Sequence, residues 1–285
     1  MEAAIRTVDQ TSRLGRDRGR SALKWLANPG MVFLLLVVAA SIFAAALAPY
    51  DPLDMNKATP LSAPSQRFPL GTDQFGRDIL SRLLFGARIA LLIGIGSTLT
   101  AASIGVPLGL WAGYSGGKID AVIMRIVDTL LAIPPVLLAM ALVAMTGRGS
   151  VNAGVAVAVV ALPQFARIAR AGTLTEKALE YVEAAVAVGA SDVRLLFRTI
   201  LPNVLSPVLV QIPIAVSRAI LLEASLSFLG LGTQPPQPSW GLMIRESRDY
   251  MYAAPLYGVF PGVVIALTVL SLNALSDRAR ASWRT

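Results

Sequence analysis

The chain contains neither cysteine nor histidine in its 285 residues. Without cysteine there is no disulfide framework, no thiolate metal site and no thiol nucleophile. Without histidine there is no Ser/His/Asp triad, no HExxH metal site and no imidazole proton relay. Most membrane-enzyme chemistry is thereby excluded. Charge is scarce as well: 15% of residues are charged, against about a quarter in an ordinary soluble domain, while 55% are hydrophobic and the mean hydropathy is +0.63. This composition argues against a soluble, disordered or fibrous chain. It fits one membrane domain built from long apolar runs with short polar connections.

A hydrocarbon layer of about 30 Å needs roughly 20 helical residues. The pattern predicts an all-α integral membrane protein with six transmembrane helices, over residues 31–48, 89–113, 121–145, 151–166, 204–222 and 255–275. The first run resembles a signal peptide in having basic residues before it and small residues at Ala46 and Ala48. It is longer than a signal h-region, and Pro49 would follow the scissile bond, so a retained helix is expected. Lys and Arg distribute unevenly over the alternate loops: sixteen of the 25 fall on the side holding residues 1–30, eight on the other, and Arg218 lies within a span. The positive-inside rule therefore puts both termini in the cytoplasm. The net charge of +8 is then a topology signal and calls for no nucleic acid.

Residues 1–30 read as a cytoplasmic N-terminal segment and 31–285 as the membrane domain. Two outer segments, 49–88 and 224–254, are long enough to form ordered caps. Pro49, Pro52, Pro60 and Pro64 forbid a continuous helix in the first. Gly94, Gly96, Gly105 and Gly109 permit close helix approach, with Pro107 among them. These glycines read first as packing devices, with pivots for opening a cavity as the alternative, and Pro134, Pro135 and Pro213 invite the same two readings.

The most specific signal lies in the cytoplasmic loop 172–203. Residues 181–203 predict two short helices joined at Gly189, with Ser191 capping the second. Val193, Leu195, Leu196 and Phe197 give that second helix an apolar side beside Arg194 and Arg198, and Pro202 begins the next span. Such an element can lie on the cytoplasmic surface and be gripped by a partner, or serve as a plain amphipathic connector. Glu183, Ala184, Ala185, Gly189, Leu201 and Pro202 stand at the spacings of the EAA loop, and the segment resembles that of permeases in binding-protein-dependent ABC importers. Thr199 occupies the position where the pattern has Ile, with Ile200 beside it. Residues 69–82 with Gly86, Ala87 and Arg88, residues 226–232 running into 238–241, and Asn273 resemble the second permease type of the dipeptide, oligopeptide and nickel group. Leu275, Ser276 and Asp277 depart from that group's usual Leu-Gly-Asp.

The resemblance implies a type I ABC importer permease fold in a bacterial inner membrane. It implies a homologous permease as partner, two cytoplasmic ATPases, separate or fused, that grip the EAA loops, and an extracytoplasmic substrate-binding protein. ATPase coupling would then fall to Glu183, Ala184, Ala185, Gly189, Ala190, Ser191, Leu201 and Pro202. No cofactor is expected in this chain, ATP and Mg belonging to the partner subunits. Its nearest approach to a P-loop, at Gly117 and Lys118, lacks the earlier Gly and is followed by Ile119. Di- or oligopeptides are the expected solutes, with nickel chelates and glutathione as alternatives. A secondary transporter would show inverted repeats and broken-helix ion sites, and would leave the EAA loop unexplained.

Charges within spans are expensive and often functional. Arg125 and Asp128 stand three apart and share a helix face, where they could neutralise each other. Arg218 and Glu223 are five apart, about 140° around the helix, and are poor partners. Both are candidates for the solute path. Arg218 lies in the outer half of the membrane, where it would attract a solute carboxylate or bond to the partner permease.

Overall fold

The computed structural model describes residues 29–55 and 58–282. The expected cytoplasmic segment 1–30 therefore lies almost wholly outside the described residues. Those residues form helices α1 (Pro29–Ile42), α2 (Ile79–Ser115), α3 (Gly117–Ala132), α4 (Pro135–Thr146), α5 (Ser150–Lys177), α6 (Glu180–Ala187), α7 (Asp192–Phe228), α8 (Trp240–Ser247) and α9 (Pro255–Ser282). Among the described residues the β-type pairing is one isolated bridge, Thr72 with Asp78. The protein is all-α, and four helices, α2, α5, α7 and α9, are each long and apolar enough to cross a membrane.

Three expected spans take a different form. The run 31–48 is not one helix: α1 has 14 residues, Phe43 interrupts it, and a single turn, Ala44–Leu47, follows. At about 1.5 Å per residue, α1 alone falls short of the hydrocarbon thickness. The run 121–145 is broken into α3 and α4, bent by 97°. Pro134 and Pro135 cause the break, since neither has an N–H and the residue before a proline is pushed out of the helical region. Ile133 is accordingly extended, with φ −92° and ψ 130°. In the fifth run Pro202 does not begin the helix. A π-helical stretch, Leu195–Ile200, leads directly into Leu201–Phe228, with the Leu201 N–H donating to the Leu196 carbonyl. Widening the turn gives room to a proline ring that would collide with the ordinary i−4 carbonyl.

Helices α2 and α5 share the largest interface. A methyl group at Gly105 would come within 2.7 Å of the Leu162 carbonyl oxygen, one at Gly109 within 2.1 Å of the Ala166 oxygen, and one at Gly113 within 2.9 Å of the Arg170 oxygen. The contacts advance by four residues on both helices together, so α2 and α5 run parallel with their backbones touching. Here the glycines are packing devices. Gly94 belongs with them, facing Ile220 and Val216 of α7, whereas a methyl group at Gly96 would meet nothing within 4 Å.

The parallel alignment settles the path of the bent pair. Ser150, at the start of α5, lines the same groove as Ile89 and Ile93, near the start of α2. The chain leaves α2 at the opposite end, at Ser115. Between the two, α3 and α4 must carry it back over most of the length of α2, as a broken span does and a re-entrant loop does not. Around this frame α7 packs against α2, α5 and α9, and α1 lies on α2 and α9.

Replacing Gly109 with leucine should collapse this frame, because the obstacle is backbone and cannot rotate away. A cost of about 3 kcal/mol is expected, read as a lowered melting temperature of the solubilised subunit. Gly96→Ala, facing open space, should leave that temperature unchanged.

Candidate coupling loop and translocation cleft

The loop 172–203 is a short helix, a reversal and the root of α7. Helix α6 carries Glu183, Ala184 and Ala185. It ends where Gly189 adopts φ +85°, a conformation costly to any residue with a Cβ. The Gly189 N–H donates to the Val186 carbonyl at 2.9 Å and the Ala190 N–H to the Ala185 carbonyl at 3.0 Å. This pair of bonds is the Schellman termination, and it gives a physical reason for the glycine at 189. Ser191 is extended at the N-cap position of α7, but its hydroxyl makes no capping bond.

The inner face of the loop is anchored to the membrane helices. Val182, Leu195, Ile200 and Val204 are buried in one cluster with Leu110, Phe165 and Ala169 of α2 and α5. The Tyr114 hydroxyl donates to Asp192 at 2.5 Å, and the Lys177 ammonium donates to the Tyr114 carbonyl at 2.6 Å. Tyr181 donates to Glu176, and the Asn203 amide donates to Glu176 at 3.1 Å and to the Tyr181 hydroxyl at 2.9 Å. Burial, then the bond to the Glu176 carboxylate, push the Tyr181 phenol up from its ordinary value. The outer face is bare: Glu183, Ala184, Ser191 and Pro202 are exposed, Leu201 is half-buried, and Val188 and Phe197 are 90% and 57% exposed. The expected coupling residues thus divide between a rigid reversal and a surface presented outward.

The intramembrane charges sort differently from the sequence expectation. Asp128 is paired with Arg167 of α5 at 2.6 Å, not with Arg125 on its own helix. Asp120 takes a two-pronged contact from Arg170, both bonds 2.5 Å. Arg218 is exposed on the subunit and lines a cleft of about 360 Å³ with Gln164, Gln211 and Ser225, beside the break at Pro135. Glu223 is placed elsewhere. It is 1% exposed and accepts hydrogen bonds from Ser227 at 2.7 Å and Thr233 at 3.2 Å, binding the end of α7 to the outer loop.

The outer cap contains a buried ionic cluster that sequence inspection missed. Asp73 accepts from the Arg77 guanidinium at 2.6 Å, from the backbone of Phe75 and Arg77 at 2.8 and 3.0 Å, and from Arg82. Arg82 also donates to Glu246 of α8 at 2.8 Å, and the Tyr257 hydroxyl of α9 donates to the same carboxylate at 2.9 Å. Asp73, Arg77 and Arg82 are each at most 1% exposed. The Trp240 indole N–H reaches the Leu83 carbonyl at 3.0 Å, closing the cap over the start of α2. An Asp-to-Arg spacing of four hints at the first pair, but nothing local joins it to Glu246, 164 residues beyond Arg82.

Comparison with known proteins gives a consistent result. The model of the family described as binding-protein-dependent transport system inner membrane component matches residues 105–282. The chain is 44% identical over 257 residues to the di/tripeptide transport system permease protein DppC of Pseudomonas aeruginosa, covering 88% of this chain and 85% of that protein. It is 47% identical over 250 residues to the glutathione transport system permease protein GsiD of Pectobacterium atrosepticum, covering 87% and 83%. A chain of the MetNI methionine ABC transporter, solved in inward-facing conformations, has the same fold, with a TM-score of 0.60 at 20% identity over 71% of this chain and 97% of that one.

Replacing Arg82 with methionine should leave the Asp73 and Glu246 carboxylates sharing Arg77, at 2.6 and 3.5 Å, as the cluster's one remaining cation. Breaking a buried pair from one side costs about 3–5 kcal/mol. The expected readout is a lower melting temperature together with rapid proteolysis of the outer segment 49–88.

Proposed function

The chain belongs to the binding-protein-dependent transport system inner membrane component family, and from that premise we propose that it forms half of a peptide path and is driven through its EAA loop. It is a multi-pass permease subunit of an ABC importer in the bacterial inner membrane and is not itself an enzyme. ATPase and substrate-binding protein partners follow from the family. The finer assembly belongs to the proposal: one homologous permease beside this chain, two ATPases or one fused ATPase beneath, ATP and Mg held there, and six crossings with both termini in the cytoplasm. Di- or oligopeptides are the proposed solutes, supported by the similarity to DppC. Glutathione, itself a tripeptide, is the second reading, supported by the similarity to GsiD.

The observation that carries the coupling role is the two-sided build of the loop. Its inner face is fixed to α2 and α5, so a push on the loop must move those helices or break their bonds. Its outer face presents Val188, Val193 and Phe197, an apolar patch unusual on a solvent-exposed loop. In this mechanism ATP-driven closure of the ATPases selects the loop position that opens the cavity outward, and hydrolysis releases it. Glu183, Ala184 and Ala185 supply the helix that is gripped, Gly189, Ala190 and Ser191 its rigid reversal, and Leu201 and Pro202 the point within α7 where the π-helical stretch gives way to the long helix.

A Cβ added at Gly189 meets nothing within 4 Å and points into open space. Gly189→Trp should therefore leave the subunit in the membrane while abolishing uptake and copurification of the ATPases. Gly189→Asn, which tolerates positive φ, should keep most activity. Normal uptake by the tryptophan variant would overturn the role.

The native lack of cysteine makes the six-crossing topology testable without background labelling of this chain. Single cysteines at Ser65 and Gln237 should react with an impermeant thiol reagent in intact cells. Those at Ser115 and Thr175 should react after permeabilisation alone. All four positions are exposed on the subunit, so a reversed pattern would invert the topology.

A further inference from the structure

Two clefts on one face of α7 share Gln164 and Gln211. The outer cleft holds Arg218 and Ser225. The inner one, about 540 Å³, is lined by Ser206, Pro207 and Arg280. Gln211, Arg218 and Ser225 are seven residues apart in turn, which stacks them along one line of the helix at every second turn. From Gln211 to Ser225 the rise is about 21 Å, roughly two-thirds of the hydrocarbon thickness. A stripe of three polar side chains therefore runs along that part of α7, between apolar neighbours.

Its charge has a single sign. Among the residues lining either cleft, the charged ones are Arg218 and Arg280, and none is acidic. Glu223, the carboxylate nearest to Arg218 along α7, is buried against Ser227 and Thr233 and lines neither cleft. Among the described residues Arg218 has no ion-pair partner, and the Gln211 amide, on a side chain of a residue only 7% exposed, has no hydrogen-bond partner. A guanidinium without a counter-charge on a cleft lined mostly by apolar side chains favours an anion there. The Gln211 amide, which lines both clefts, offers both a donor and an acceptor, as a peptide group requires.

We propose that this stripe is the subunit's own solute-binding surface and that it selects peptides of net negative charge, Arg218 receiving the extra carboxylate while Gln211 and Gln164 bond the peptide groups. The proposal rests on reading the chain as half of a peptide path. It adds a charge preference that neither the family nor the relatives' names contain.

Two measurements on the assembled importer in proteoliposomes separate the inference from that reading. The first is uptake of labelled Ala-Glu, Ala-Ala and Ala-Lys, expressed for each peptide as variant over wild type so that the binding protein's preference cancels. Arg218→Gln should lower Ala-Glu uptake about tenfold and Ala-Lys less than twofold, with Arg218→Lys restoring most of the difference. Equal loss for all three peptides would make Arg218 structural and overturn the proposal. The second measurement needs no solute. A cysteine replacing Leu221, which lines the outer cleft one helical turn from Arg218, is labelled with anionic and cationic methanethiosulfonates of similar size. The anionic reagent should react about tenfold faster relative to a free thiol, and Arg218→Gln should remove the preference. No preference in the wild type overturns the inference. A clear preference in an importer that moves none of the three peptides upholds the anionic path and refutes the peptide reading.

Discussion

Backbone contact between α2 and α5 is the constraint on which the other arrangements depend. Lipid tails are as apolar as leucine, so burying apolar side chains does not hold helices together in a membrane, and close van der Waals packing has to do so. Gly105, Gly109 and Gly113 allow that packing by bringing α2 against the carbonyls of Leu162, Ala166 and Arg170. Because the seam is parallel, the intervening chain must recross the thickness of the bundle. It does so as two helices broken at Pro134 and Pro135, and the break opens room for the cleft beside Arg218.

The same seam gives the loop 172–203 something rigid to pack on. Leu110, Phe165 and Ala169, beside the touching glycines, form the floor on which Val182, Leu195 and Ile200 sit. A displacement of α6 is therefore delivered to α2 and α5 as a pair rather than absorbed by side chains sliding past one another. Closely packed elements respond by discrete shifts, which suits a two-state cycle. The π-helical stretch before Pro202 lies where the loop meets α7, a place where helical hydrogen bonding is already loosened.

At the opposite end the cap is held by charge. The Asp73, Arg77, Arg82 and Glu246 cluster ties two stretches far apart in sequence, and Glu223 ties the end of α7 to the outer loop through Ser227 and Thr233. Acidic side chains at this end are largely committed to structure, while Arg218 is left uncommitted on the cleft. That division, more than the number of charges, sets the electrostatic character of the cleft.

Local chemistry decided much of this protein before any folding. Scarcity of charge placed it in the membrane, the uneven Lys and Arg count predicted an orientation, and the spacing of Ala185 and Gly189 marked a helix termination that forms through two backbone bonds. Pro134 and Pro135 were visible as a break or a pivot, but composition carries no information on bend angle. Tertiary structure alone decided which glycines touch a neighbour and which, like Gly96, do not, because this depends on a surface supplied by another helix. It alone buried Glu223 against Ser227 and Thr233 and gave Asp128 to Arg167, since a polar contact forms between groups that are near in space and sequence separation measures nearness only along one helix. The cluster at Arg82 lay beyond sequence reading for the same reason: its partner Glu246 stands 164 residues away, and only the packing of α8 on α2 brings the two charges into a site dry enough for their attraction to matter.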